Sequence, residues 1–159
     1  MPYSITKKEL ALQPVLVVRR RVKRSDIAAT IGEVLPHIFV HAQHNEIALA
    51  GLPFTRYVEM GTEMVTMEPG MRVTSAGAAG QGEIVAGTLP GGPAVTTLHA
   101  GPYDKLQDAY AAIEQWMEAE GLAAAGAPWE SYLNDPSDFP DPKDWKTEVV
   151  WPVTEQQRG

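Results

Sequence analysis

The chain has 159 residues, 44% of them hydrophobic and 21% charged, which is typical of one globular domain that buries a core. It contains no cysteine, so a disulfide framework and thiolate metal sites are excluded. No apolar run approaches the roughly 20 residues that a membrane span needs, and residues 1–3 do not resemble the start of a signal peptide. We therefore expect a cytoplasmic protein with no membrane segment.

The net charge of −7 is unevenly distributed along the chain. Up to Arg24 there are seven basic residues and one acid, so six of the 13 basic and 19 of the 20 acidic residues remain for the rest. An acidic body disfavours phosphate backbones, and we interpret the basic stretch 19–24 as solvated surface. The charge predicts no direct binding to nucleic acid and favours cationic or electron-poor ligands.

The first half of the chain predicts a strand, a helix and a hairpin. A run rich in β-branched residues predicts a strand at 14–19, and Ser25 is placed to cap a helix. The apolar stripe of this helix consists of Ile27, Ile31, Val34, Leu35, Ile38 and Ala42. Pro36 lies inside the pattern, so we expect a kink or a break there. The next predicted strand is 49–58, followed by a hairpin partner at about 64–73 that Pro69 and Gly70 close or interrupt.

The second half repeats this order of elements after a linker of small residues at about 75–82. The predicted elements are strands at 84–89 and 93–99, a helix at about 102–120, a strand at 129–133 and a last strand at 147–153. The apolar stripe of the helix consists of Leu106, Tyr110, Ile113 and Met117. Gly121 provides the stop signal of the helix.

One segment of the sequence occurs twice. Residues 50–58, AGLPFTRYV, recur as 125–133, AGAPWESYL, in step at Gly, Pro, the aromatic residue and Tyr. Such a period predicts two copies of one supersecondary unit. The predicted organisation is a single domain over 1–159, with a first repeat at about 14–73, the linker at about 75–82 and a second repeat at about 84–153. We predict an α+β fold in which duplicated β-α-β-β units form a curved antiparallel sheet, with two helices packed on one side and a central pocket on the pseudo-twofold axis.

The two copies differ at one informative position, because Thr55 of the first copy is replaced by Glu130 in the second. Side chains alternate along a strand, so Glu130 and Tyr132 share one face. Thr55 and Tyr57 share the equivalent face of the first copy. If the opposite face, with Trp129, packs on a helix, these four side chains converge on the axis. Alternatively, Glu130 is an exposed strand residue and both tyrosines are packing.

A carboxylate among aromatic rings suits an organic cation, since the acid pairs with the charge and the rings supply cation–π contacts. The same acid, if burial raises its pKa, can act as a general acid or base while a tyrosine hydroxyl polarises the substrate. The residues alone therefore leave binding and catalysis open.

Several motifs of the second half occur together. They are HAGPYD at 99–104 before a helix, Trp116 near the end of that helix, PWESYLNDP at 128–136 and TEVVWPV at 147–153. In combination they resemble the GyrI-like small-molecule-binding domain, which is also the effector-binding module of AraC- and MerR-type multidrug-sensing activators. The resemblance covers roughly residues 15–153. It implies the duplicated fold and a central pocket whose key acid matches Glu130, and Tyr57 matches the family's Pro-aromatic-x-x-Tyr pattern.

Three activities are associated with such domains. The first is binding of lipophilic, cationic or aromatic small molecules. The second is hydrolysis of electrophilic, cyclopropane-containing genotoxins, in which Tyr57 would polarise the substrate and Glu130 would act as the base. The third is inhibition of DNA gyrase, which nothing in these residues supports directly. Only 13 residues precede the first predicted strand, too few for a helix-turn-helix, so we expect a free-standing binding protein, of open oligomeric state, that does not itself read DNA.

Two further aromatic residues are candidate ligand contacts. Trp116 either forms an aromatic wall of the pocket or fills core, and Tyr103 at the helix entrance would line one pocket end. The predicted ligand-binding residues are Glu130, Tyr57, Tyr132, Trp116, Thr55 and Tyr103; Glu130 and Tyr57 would be catalytic only in an enzyme.

Neither of two clusters of potential metal ligands is interpreted as a metal site. The clusters are His37, His41 and His44, and Asp135, Asp138, Asp141 and Asp144. The histidines lack a zincin pattern and are interpreted as surface residues. The aspartates lack the glycine and the terminal glutamate of a calcium loop. We expect no metal and no cofactor.

Overall fold

The computed structural model describes residues 3–74, 81–134 and 138–155 of the chain. The chain divides into two compact units: the first unit is Ala11–Gly91, and the second unit is Gly92–Gly159 together with Met1–Leu10. Within the described residues each unit packs one α-helix on an antiparallel sheet, so the predicted α+β class is confirmed. Most of the predicted linker, at 75–80, lies outside the described residues.

The strands and helices are numbered in chain order. The strands are β1 (Ile5–Leu10), β2 (Gln13–Val18), β3 (Arg20–Lys23), β4 (Leu49–Met60), β5 (Met64–Val73), β6 (Ile84–Leu89), β7 (Gly92–Ala100), β8 (Leu122–Ala124), β9 (Trp129–Tyr132) and β10 (Lys146–Glu155). The helices are α1 (Ile27–His44) and α2 (Leu106–Ala119).

The sheet of the first unit has the strand order β6-β2-β5-β4, and β3 also pairs with β5. Helix α1 packs Val34 and Ile38 against Leu16 and Val18 of β2, and all four side chains are buried. The helix runs without interruption through Pro36, whose ring is exposed. Of the expected kink or break at this proline, the break is therefore wrong.

The sheet of the second unit has the strand order β1-β7-β10-β9, and β8 pairs with β10. Helix α2 buries Ile113 and Met117 against Val95 of β7 and Val149 of β10. This stripe follows the predicted helical period, because residues three and four apart lie on one face.

The same order of strands occurs in both units. β2, α1, β4 and β5 of the first unit correspond to β7, α2, β9 and β10 of the second unit. In each unit a fourth strand pairs with the first strand of this series: β6 with β2, and β1 with β7. The β-α-β-β pattern of each copy is thus present, and two strands are added in each unit: β3 and β6 in the first, β1 and β8 in the second.

Three strands were not predicted, namely β1, β3 and β8. β1 (ITKKEL) is largely exposed at the edge of its sheet, so it lacks an alternating apolar pattern. The expectation that 13 residues precede the first strand is therefore wrong. The helix start also differs, since Ser25 lies in a single 3-10 turn and the cap position of α1 is Asp26.

Candidate functional site

The strand β9 places Glu130 beneath α2. Glu130 lies directly opposite Val149 of β10, and Val149 belongs to the core that α2 covers. Because directly opposite residues of an antiparallel pair point to the same face, Glu130 points toward the helix. Trp129, opposite Val150, points to the other face. The condition that the Trp129 face packs on the helix is therefore wrong, because the register of β10 sets the opposite arrangement.

Glu130 is a buried carboxylate with a partner from the helix. Its side chain is 4% exposed, and the phenol of Tyr110 on α2 donates a hydrogen bond to Oε1 at 3.2 Å. Burial raises the pKa of Tyr110 well above its usual 10.0, and the charge of Glu130, the neighbouring Tyr132 and the hydrogen bond raise it further. The phenol therefore remains protonated, and so remains a donor, throughout the physiological pH range.

The sequence placed Tyr110 in the apolar stripe of the helix and assigned it no role in the site. The available signal was its hydroxyl group, because a buried tyrosine usually finds a hydrogen-bond partner for its O–H. Which carboxylate it meets depends on how α2 lies on the sheet, and the local sequence does not specify this.

Three aromatic rings are in contact where α2 and β10 begin and β9 ends. Tyr132 is buried on the face of Glu130, and the ring of Tyr103 lies 5.7 Å from it between centroids. Trp145 continues this cluster at 4.8 Å from Tyr103. The predicted residues Glu130, Tyr132 and Tyr103 thus belong to one unit, and two of their rings are in contact.

Two tryptophans pack near α2. Trp116 is partly buried against the helix core, in keeping with its core interpretation. Trp151 of β10 meets Tyr110 edge-on, with centroids 6.2 Å apart and an interplanar angle of 74°. Edge-to-face contacts of this kind favour particular ring orientations, so Trp151 helps to orient the Tyr110 phenol that donates its hydrogen bond to Glu130.

The equivalent residues of the first unit are also buried. Thr55 and Tyr57, at 0% and 7% exposure, lie opposite Pro69 and Met67 of β5. They share the face of Met71, which packs on the core beneath α1. Thr55 and Tyr57 therefore lie on the helix-facing side of their own sheet, as Glu130 and Tyr132 do in the second unit.

The alternative sites receive no support within the described ranges. Residues 3–74, 81–134 and 138–155 contain no group of three or more histidine, aspartate or glutamate side chains arranged for a metal ion. His41 is buried and contacts Asn45, so its assignment to the surface is wrong, while His37 and His44 are exposed. Asp135 lies outside the described residues. Neither helix is long and apolar enough to cross a membrane.

Solved structures of similar proteins share this fold. The crystal structure of the EcmrR C-terminal domain is 28% identical with a TM-score of 0.86, over 98% of this chain and 99% of that one. The chain spans 59% of the EcmrR chain in its DNA complex. SAV2435 bound to tetraphenylphosphonium is 16% identical with a TM-score of 0.65, over 95% and 94% of the two chains. A hydrolase from Listeria innocua is 16% identical with a TM-score of 0.65, over 94% and 91%.

At 16% identity the last two comparisons show the fold alone. No curated protein matches the chain in sequence. The family model of the GyrI-like small molecule binding domain, however, matches residues 3–154. The chain therefore belongs to the family of GyrI-like small-molecule-binding domains.

Proposed function

We propose that this small-molecule-binding domain takes lipophilic organic cations, and that Glu130 is the charged anchor of its site. The observation that carries the proposal is a carboxylate only 4% exposed on the sheet face beneath α2, a face that also carries the rings of Tyr132 and Trp151. Tetraphenylphosphonium, which SAV2435 binds, is a cation of this class. We further propose a cytoplasmic location, where a chain without cysteine needs no disulfides.

The charge of Glu130 favours a cation over a neutral ligand of the same shape. A buried carboxylate loses its hydration, and the hydrogen bond from Tyr110 is one of the interactions that replace it. At a separation of about 4 Å and an effective dielectric constant of roughly 20, a unit positive charge gains about 4 kcal/mol of Coulomb energy with the acid. Aromatic faces add about 0.5–2 kcal/mol for each well-placed ring.

Fluorescence titration of rhodamine 6G tests the anchor role of Glu130. Glu130→Gln keeps the shape of the side chain and removes its charge, so we expect the affinity to fall at least 100-fold, the equivalent of about 3 kcal/mol. Glu148→Gln is the matched control: Glu148 lies on the adjacent strand β10, is partly exposed and pairs with Lys8. Equal affinity of wild type and Glu130→Gln would discard the anchor.

The remaining predicted contacts are Thr55, Tyr57, Tyr103, Tyr132 and Trp116, and substitution of each to a smaller side chain tests its role in the same titration. Binding and hydrolysis are separated by recovering the ligand. A binding protein returns it unchanged. Consumption of a cyclopropane-containing electrophile that stops in Tyr57→Phe would replace this proposal by the hydrolase.

A further inference from the structure

Two buried polar atoms on β10 lack hydrogen-bond partners among the residues that the structure describes. They are Oγ1 of Thr147 and the indole Nε1 of Trp151. Thr147 is completely buried, and Trp151 packs against the core beneath α2. A buried polar group without a partner is destabilising and is rare in folded proteins, so both atoms require an explanation.

The register of the strands places both residues around Glu130. Glu130 is directly opposite Val149, and Thr147 and Trp151 lie two residues before and after Val149 on the same face of β10. Each is therefore a diagonal neighbour of Glu130, at a Cβ separation of roughly 7 Å. Trp129 also has an unpartnered indole nitrogen among the described residues, but it points to the opposite face and does not belong to this arrangement.

The chemistry of the two atoms defines the missing partner. The indole N–H can only donate, and a threonine hydroxyl can donate as well as accept. A hydrogen-bond acceptor satisfies both, whereas a hydrocarbon satisfies neither. An acceptor can reach Thr147 or Trp151 while the positive charge lies beside Glu130, because both residues are diagonal neighbours of the acid on one sheet face.

We propose that Thr147 and Trp151 select, among organic cations, those that also carry a hydrogen-bond acceptor such as a carbonyl or an ether. This inference rests on the proposed cation site at Glu130. It assigns to β10 a role in specificity that is separate from the charge: Glu130 selects for a cation, and the two flanking donors distinguish one cation from another.

A pair of phosphonium ions tests this selectivity. Benzyltriphenylphosphonium carrying a para-methoxycarbonyl group presents an ester carbonyl on the ring remote from its positive charge, and the para-isopropyl analogue has a similar shape without an acceptor. By isothermal titration calorimetry we expect wild type to prefer the ester about fivefold to tenfold, the effect of one uncharged hydrogen bond. Thr147→Val should reduce this preference. Thr147→Ser, which keeps the hydroxyl, should retain the preference for the ester, and Trp151→Phe should reduce this preference as Thr147→Val does.

The outcomes separate this inference from the proposed function. Equal affinities for the two cations in wild type, both lost in Glu130→Gln, would overturn the role of Thr147 and Trp151 while the cation site stands. Failure of both cations to bind would overturn the two proposals together. The melting temperature of the ligand-free protein gives a second measurement: Thr147→Val should raise it, because the variant removes a buried hydroxyl without a partner. A lower melting temperature would show that the hydroxyl is already satisfied, and would contradict the inference.

Discussion

Replacing Tyr110 with phenylalanine removes one hydrogen bond from Glu130 and keeps the aromatic ring in place. A hydrogen bond to a charged acceptor contributes about 1.5–3 kcal/mol to stability, and the 3.2 Å length of this one places it near the lower value, about 1.5 kcal/mol. In a protein of this size 1 kcal/mol shifts the melting temperature by about 2–4 °C. We therefore expect Tyr110→Phe to melt about 3–6 °C below wild type at neutral pH.

A double-mutant cycle isolates the bond itself. Unfolding free energies are measured in urea for wild type, Tyr110→Phe, Glu130→Gln and the double variant. Since the two side chains are in direct contact, we expect a coupling energy of about 1 kcal/mol or more. Additive effects of the two substitutions would refute the assignment of Tyr110 as the partner of the buried acid.

The other predictions concern pH and backbone packing. The pKa of Tyr110 is raised in the folded protein, so its contribution to stability is complete below about pH 10 and is lost as the pH rises through the folded value. Between pH 9 and 11 the free energy of unfolding should therefore fall more steeply in wild type than in Tyr110→Phe, by at most about 1.4 kcal/mol per pH unit. Parallel curves for the two proteins would contradict this. Gly70→Ala would bring its new Cβ to 2.6 Å from the main-chain oxygen of Leu16, so urea denaturation should show a loss of about 2 kcal/mol or more. Gly32→Ala, in an open position of α1, should instead raise the free energy of unfolding by up to about 1 kcal/mol. An equal loss of stability at both glycines would contradict a steric clash as the cause at Gly70.

Elements with strong local patterns were predicted closely. β5 and β6 begin and end at the predicted residues. The expected closure or interruption at Pro69 and Gly70 is wrong, because β5 pairs with β4 through both residues. β1 was missed because its residues are mostly exposed and its partner β7 lies about 90 positions later in the chain. Pairing over such a distance leaves no local periodicity, and only the assembled sheet reveals it.

The candidate site was also predicted only in part. The repeat singled out Glu130, and its burial agrees with the interpretation of an enclosed acid. The side of the sheet that carries the helix was wrong, since it depends on the register between β9 and β10. Tyr110, Thr147 and Trp151 were not selected for the same reason: a strand or helix pattern identifies which residues are buried, but not which polar atoms meet a partner.

The most direct test of Glu130 as the anchor of the cation site is the position of a bound cation. Tetraphenylarsonium has the shape and charge of tetraphenylphosphonium, and its arsenic atom scatters anomalously. In a crystal of the protein grown with this cation, we predict an anomalous difference peak closer to the carboxylate of Glu130 than to any other acid of the chain. An arsenic peak beside a different carboxylate, or bound cation with no peak near Glu130, would contradict it.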